Sequence, residues 1–238
     1  MTQVHRRSYG ELESEHTDAH LKQALAVIQE RLSAYYGHPR NDARSDATEE
    51  LVRTILSQNT NDINRDNAFA AMRLRFPSWE MVATVTPSDL AAVIRPGGLA
   101  ETKAPRIQNA LKQIRDRTGS YDLSFVCQMA TPEAINWLTS LPGVGPKTAA
   151  CVLLFSCGQP VFPVDTHILR VTTRLGLLPE GTSAEAAHRI LGAAVAPEDV
   201  YPLHINLIRH GRLVCRAQKP RCPECVLSNV CLFPAKST

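Results

Sequence analysis

The tightest constraint on this chain is the stretch LPGVGPKTAACVLLFSCGQPVFPVD, which runs from Leu141 to Asp165. Gly143 and Gly145 flank Val144, and a turn built this way can take positive φ and leave its amides pointing outward. Pro146 suits the first position of a helix, where its missing N–H leaves nothing unpaired. Lys147 then falls in the first helical turn, and Gly158 stops the helix. Outward amides at such a place bind a phosphate without reading sequence. The hairpin is therefore expected to position a nucleic-acid strand and not to do chemistry.

Chemistry enters with Lys147 and Asp165. The positive end of a helix dipole disfavours an ammonium and favours the free amine, the form that attacks carbon. A carboxylate beside it could take up the proton and offset positive charge on a sugar whose base is leaving. Each residue also has a plainer reading. A first-turn lysine is commonly just solvated, and Asp165 ahead of THILRVTTR is a good N-cap.

Length and composition set the frame for that pair. A chain of 238 residues suffices for one large domain or two modest ones sharing a cleft. Hydrophobic residues make up 44% and aromatics 5%, amphipathic stretches recur and strand-like alternation is scarce, so the expected class is all-α. A net charge of +3 permits nucleic-acid binding without demonstrating it. No stretch is long and apolar enough to span a membrane, and MTQVHRRSYGELESEH resembles no presequence, so a reducing cytoplasm is the expected location.

In that compartment the seven cysteines are not read as a disulfide framework. Cys127, Cys151 and Cys157 are expected to act as small hydrophobes in the core. Cys215, Cys222, Cys225 and Cys231 follow the pattern C-x6-C-x2-C-x5-C. Four thiolates in so short a loop suit a tetrahedral zinc ion or a cubane iron–sulfur cluster, and the spacing leaves both open. Arg216, Lys219 and Arg221 lie between the first two of these cysteines, on a loop that a metal would hold rigid. Ordered basic residues of this kind can neutralise phosphates.

Along the chain, residues 1 to 17 read as a polar, flexible lead-in. Leu25, Ile28, Leu32 and Tyr35 form a helical stripe that ends at Gly37. TEELVRTILSQ is a second helix, with acids in its first turn, and it leads into the polar run SQNTND. A third spans Ile63 to Phe76 and is halted by Pro77. Thr86 and Pro87 open a short helix. Gly97 and Gly98 then make a turn that exposes Leu99. A helix from Thr102 to Thr118 is expected to turn Lys103, Arg106, Lys112, Arg115 and Arg117 outward as ordinary solvated charges. Thr131-Pro132 starts the helix leading into the hairpin. Thr182 and Glu185 form a capping box for a helix through Val195, and Tyr201 to Leu213 is the last helix.

LPGVGPKTA followed by VDTHILR resembles the helix-hairpin-helix and Gly/Pro-Asp signature of the base-excision DNA glycosylases, and more closely the endonuclease III branch. The resemblance runs from about Leu21 to Phe233. It implies an all-α fold of two helical domains flanking a DNA-binding cleft. One is a six-helix barrel carrying the hairpin, over residues 46–160. The other is an iron–sulfur domain made of residues 18–45 and 161–238. The same resemblance makes Lys147 the Schiff-base nucleophile and Asp165 the catalytic carboxylate. It makes Gly143, Val144 and Gly145 the phosphate grip, and the four cysteines the holders of a 4Fe-4S cluster, with zinc the lesser alternative.

SQNTND then corresponds to the segment that lines the lesion cleft. Asn59 takes the gap-filling position, although the family more often has glutamine and Gln58 lies next door. Leu99 corresponds to the wedge beside the flipped nucleotide, an apolar insertion that offsets lost stacking. The implied partner is double-stranded DNA with a damaged base or abasic site, bound by a monomer. The implied reaction removes oxidised pyrimidines through a lysine Schiff base, with β-elimination nicking the strand. Two other readings stay open: a monofunctional alkylbase glycosylase in which Asp165 assists water, and a non-catalytic DNA-binding protein.

Overall fold

The structure, a computed structural model, describes residues 9–233, with side chains from Asp18 onward. Among the described residues there is no strand, and the helices are α1 (Tyr9–Tyr36), α2 (Ala47–Leu56), α3 (Asp62–Arg75), α4 (Trp79–Thr84), α5 (Pro87–Ile94), α6 (Ala100–Thr118), α7 (Thr131–Thr139), α8 (Pro146–Val152), α9 (Thr166–Arg174), α10 (Ala184–Ala194) and α11 (Val200–Leu213). The all-α expectation holds. The polar lead-in differs from its reading, since α1 is helical from Tyr9 and only residues 1–8 of it lie outside the described residues.

The chain divides into two compact units. One takes the chain up to Arg40 and from Val164 onward, and the other is Asn41–Pro163. Short polar caps start most helices of the second unit. Asp46 accepts from the amides of Thr48 and Glu49, Asn61 from Asn64, Ser78 from Met81, and Thr86 from Asp89. Each such cap satisfies amides that have no partner within the helix, worth about 1 kcal/mol. The short α4 escaped the sequence reading because six residues carry too little periodicity to register.

The core of this second unit is built on α6. Ala104, Ile107, Leu111 and Ile114 are wholly buried and pack with Leu51, Ile55 and Leu56 of α2, Met72 of α3 and Leu90 of α5. Burying each such leucine or isoleucine contributes roughly 1.5–3 kcal/mol. Lys103 shares that buried stripe and is only 1% exposed, which corrects its assignment to an outward face.

Cys127 and Cys157 also depart from expectation. The 3-10 turn Ser124–Gln128 and the π-turn Leu153–Cys157 bring their Cα atoms to 4.8 Å, and the two are joined as a disulfide. Sequence spacing could not show this, because the residues meet only when the end of α8 folds back on the segment after α6. Cys151 is buried and outside any disulfide, as expected.

The other unit packs α1 against α10 and α11, and α9 against α10 and α11. Leu25, Ile28 and Leu32 of α1 are buried as the stripe predicts, whereas Tyr35 is 59% exposed. Helix α10 is capped by Ser183, which accepts from Ala186, one residue beyond the expected Thr182. No helix among the described residues is long and apolar enough to cross a membrane.

Candidate active site and nucleic-acid interface

The hairpin lies between α7 and α8. The amide of Val144 donates to the carbonyl of Leu141 at 3.1 Å and closes the turn, while the Val144 side chain is buried in the core. Gly143 takes φ 79°, the left-handed conformation that favours glycine. Gly145 does not: with φ −94° and ψ 177° it is extended backbone and the N-cap of α8, which corrects the expectation for that glycine. A Cβ at Gly145 would meet nothing of the protein within 4 Å. The chain's own packing therefore does not require glycine at that position.

A groove of about 630 Å³ runs along the hairpin, lined by Arg106, Asn109, Thr139 and residues 141–145. The stem of Arg106 lies beside the turn, since a Cβ at Gly143 would meet its Cδ at 3.5 Å. Its Nη1 donates to Oε1 of Gln58 at 3.0 Å. Gln58 is thereby tied down and half-buried, whereas Asn59 is exposed with φ 53°. Leu99 is 55% exposed with φ 50° and serves as the N-cap of α6. Of the two neighbours, Gln58 is held by a hydrogen bond, and Asn59, given the gap-filling position by the resemblance, is the exposed one.

Lys147 is half-buried in the first turn of α8, which packs against α2. From α2 a further carboxyl, Glu50, reaches this region. Its oxygens accept from the hydroxyls of Thr54 at 3.1 Å and Ser45 at 3.2 Å. Burial raises its pKa above the ordinary carboxylate range, while those two hydrogen bonds and the charges of Arg65 and Lys147 pull against the rise. The sequence reading placed Glu50 at a helix start for its dipole alone, and no local signal marked its burial.

In the other unit Asp165 is the N-cap of α9, with Oδ1 accepting from the amide of Ile168 at 2.8 Å. The plainer reading of this residue is therefore realised. Capping engages one carboxylate oxygen and does not conflict with a second role. Two residues on, His167 has its pKa lowered, chiefly by burial.

The four late cysteines follow α11 in a loop braced from α9. Arg170 donates through Nε to the carbonyl of Cys215 at 3.1 Å. Arg174 donates through Nη1 to the carbonyl of Arg216 at 2.6 Å and to Sγ of Cys215 at 3.4 Å. Nε2 of His210 lies 3.4 Å from Sγ of Cys225, and its Nδ1 lies 3.1 Å from the Tyr36 hydroxyl. All four cysteines are free thiols, and the pKa values of Cys225 and Cys231 are raised by burial first and by the other thiols after it. Among the described residues no three His, Cys, Asp or Glu side chains are gathered tightly enough for one metal ion. Arg216, Lys219 and Arg221 are exposed on this loop, with Arg221 3.6 Å from Glu224.

A helical fold with a glycine hairpin ahead of a first-turn lysine defines a class of protein, and sequence comparison gives its name. Residues 52–197 match the HhH-GPD superfamily of base excision DNA repair proteins, and the chain belongs to that family. Within it the chain is similar to endonuclease III. It is 32% identical to the Thermotoga maritima enzyme over 196 residues, 82% of this chain and 87% of that one. It is 34% identical to the Sulfolobus acidocaldarius enzyme over 193 residues, 77% of this chain and 80% of that one.

An Arabidopsis thaliana protein named for DNA glycosylase activity is 33% identical over 169 residues, and the chain spans 58% of its length. Among solved structures, endonuclease III in a trapped covalent intermediate with DNA superposes with a TM-score of 0.77 at 26% identity, covering 89% of this chain and 95% of that one. A thermostable thymine-DNA glycosylase shares the fold at 19% identity and a TM-score of 0.74. By family and homology the chain is a base-excision DNA glycosylase.

Proposed function

We propose that this protein removes oxidised pyrimidines from duplex DNA through a Schiff base on Lys147 and then nicks the strand by β-elimination. The observation that carries the reading is Lys147 itself, half-buried in the first turn of α8 directly after the hairpin. The homologue caught covalently on DNA supports a nucleophile of this kind. A base inside the stack is out of reach, so it is flipped before attack. Asn59 fills the gap and Leu99 wedges beside it, both exposed at the tips of left-handed turns. The amides of Gly143 and Gly145 receive a backbone phosphate, while that of Val144 is spent on the Leu141 carbonyl and its side chain anchors the turn in the core. The open space beside Gly145 leaves room for that close approach.

In the reaction the free amine of Lys147 attacks the anomeric carbon and the base departs with the glycosidic electrons; the nitrogen then gives up a proton, the C1′–O4′ bond breaks with O4′ taking a proton, and the nitrogen lone pair closes the protonated imine. Asp165 offsets positive charge on the sugar and accepts a proton, a contribution of roughly 10²–10⁴-fold for a positioned acid–base group. Loss of the 2′ proton from the imine then expels the 3′ phosphate.

The donor set of Cys215, Cys222, Cys225 and Cys231 fits a 4Fe-4S cluster. Four cysteines outside any disulfide lie on one loop in the spacing C-x6-C-x2-C-x5-C, a donor set of thiolates alone that suits such a cluster, and the likeness to endonuclease III favours it over zinc. A cluster would hold the loop rigid so that Arg216, Lys219 and Arg221 meet phosphates. Arg174 and His210 orient two of the thiols from outside the set. Broad visible absorption of the purified protein, lost when Cys225→Ser is made, is the expected result. A colourless protein containing zinc contradicts the cluster.

Borohydride trapping on a duplex with one abasic site tests the nucleophile. The intact protein is expected to give a covalent adduct and Lys147→Ala none. A folded, metal-loaded protein that gives no adduct overturns the lyase mechanism. Release of methylated purines without nicking then selects the alkylbase reading.

A further inference from the structure

The non-glycine residues with left-handed backbone among the described residues are Asn59, Leu99 and Lys219, and the two in the Asn41–Pro163 unit are the two assigned above to enter DNA. Such backbone costs of order 1–3 kcal/mol per residue and persists only where its surroundings hold it. One side chain bonds the backbone a few residues ahead of each. Lys103 donates from Nζ to the carbonyl of Leu56 at 2.6 Å and to the carbonyl of Gly97 at 2.8 Å.

Leu56 is the last residue of α2, three before Asn59, and its carbonyl is among those left unpaired at a helix end. Gly97 ends the 3-10 turn that delivers Gly98 and Leu99. Leu99 is the N-cap of α6, and its carbonyl accepts the first helical hydrogen bond, from the amide of Lys103 at 2.9 Å, so the Lys103 side chain reaches back from the first turn of the helix that Leu99 opens. An ammonium with 1% exposure is a poor choice for filling space, where a methionine or leucine serves without desolvation. Its value lies in its several donors, which can span two strands of backbone.

We propose that Lys103 is the positioning residue for base extrusion: it locks the turn that presents Leu99 to the end of α2 that presents Asn59, so the two side chains enter a duplex as one rigid element. This rests on the reading of Leu99 and Asn59 as inserted residues. Rigidity matters because a wedge offsets lost stacking only if it does not itself yield. The hairpin grip on phosphate does not pass through Lys103, so binding to intact duplex is independent of the lock.

The test compares binding of the full, metal-loaded protein to two duplexes, one undamaged and one with a tetrahydrofuran abasic analogue, for K103M, L99A and the double variant. For K103M the expected result is at least a tenfold loss of preference for the abasic duplex, with affinity for undamaged DNA within twofold of the parent. K103R, which restores several donors, is expected to recover part of the preference. In the L99A background K103M is expected to cost little more, since both act through one insertion.

A folded K103M that keeps its preference while L99A loses it overturns the role of the lysine and leaves the wedge standing. L99A with full preference overturns the wedge and the proposal together. Multiplying effects in the double variant also overturn the lock. If K103M does not fold, K103Q, which keeps an N–H donor for one carbonyl, is read by the same outcomes.

Discussion

Nη1 of Arg106 donates to Oε1 of Gln58 at 3.0 Å, and this contact separates two adjacent polar side chains into a held one and a free-reaching one. Asn59 is the exposed member, and it is the one proposed to fill the gap behind an extruded base. Asn59→Ala is expected to lower single-turnover base release about tenfold, the scale of one lost hydrogen bond to a charged or polar partner. Gln58→Ala is expected to act less, by loosening Arg106 beside the hairpin. A larger effect at Gln58 in the same assay reverses the assignment.

Asp165 caps α9, and the catalytic role proposed for it is separable from that cap. Asn caps a helix about as well as Asp, so Asp165→Asn is expected to leave the melting temperature nearly unchanged. Excision is expected to fall roughly 10²–10⁴-fold with the loss of the acid–base group. Asp165→Ala removes the cap as well and costs about 1 kcal/mol of stability. Thermal melts and single-turnover rates on the same preparations check both halves.

Glu50 makes stability depend on pH in a definite direction. Burial raises its folded pKa above the unfolded value, so its neutral form is the favoured one in the fold. Its contribution is full below the unfolded pKa and is lost as pH rises through the folded pKa. Glu50→Gln is therefore expected to melt at a higher temperature than the parent at neutral pH. That advantage should shrink in acid, where Glu50 is protonated. Paired melts at neutral and acid pH check the sign.

The Cys127–Cys157 link closes a loop with a sequence separation of 30. On the chain-entropy account such a loop is worth about 3–4 kcal/mol. Cys127→Ser with Cys157→Ser is expected to lower denaturant stability by that amount, and reductant is expected to do the same to the parent. Thiol titration of the unfolded, metal-stripped protein should find Cys151 and the four late cysteines but not these two.

Local signals carried much of this protein. The caps at Thr86 and Asp165 and the stop at Gly158 stand where the residues predict, because capping is decided within one turn of chain. The hairpin before Lys147 and the cysteine loop were legible for the same reason. Positions that depend on distant partners were not. Lys103 sits one residue from Ala104 on a helix rich in basic residues, and its burial is set by where α2 and the Gly97 turn fall against it. The resemblance puts Asn59 in the gap-filling position, but the hold on Gln58 next to it arises only when α6 brings Arg106 alongside.

From the amino-acid order alone came the helical class, the family signature and the residues able to do chemistry, since periodicity, capping and motif spacing are properties of adjacent chain. Tertiary structure alone decided the burial of Lys103 and Glu50, the pairing of Cys127 with Cys157, and which polar side chain stays free. Each of these depends on contacts between segments far apart in the chain, and the energy that settles them, burial against hydrogen bonding, exists only once the segments have met.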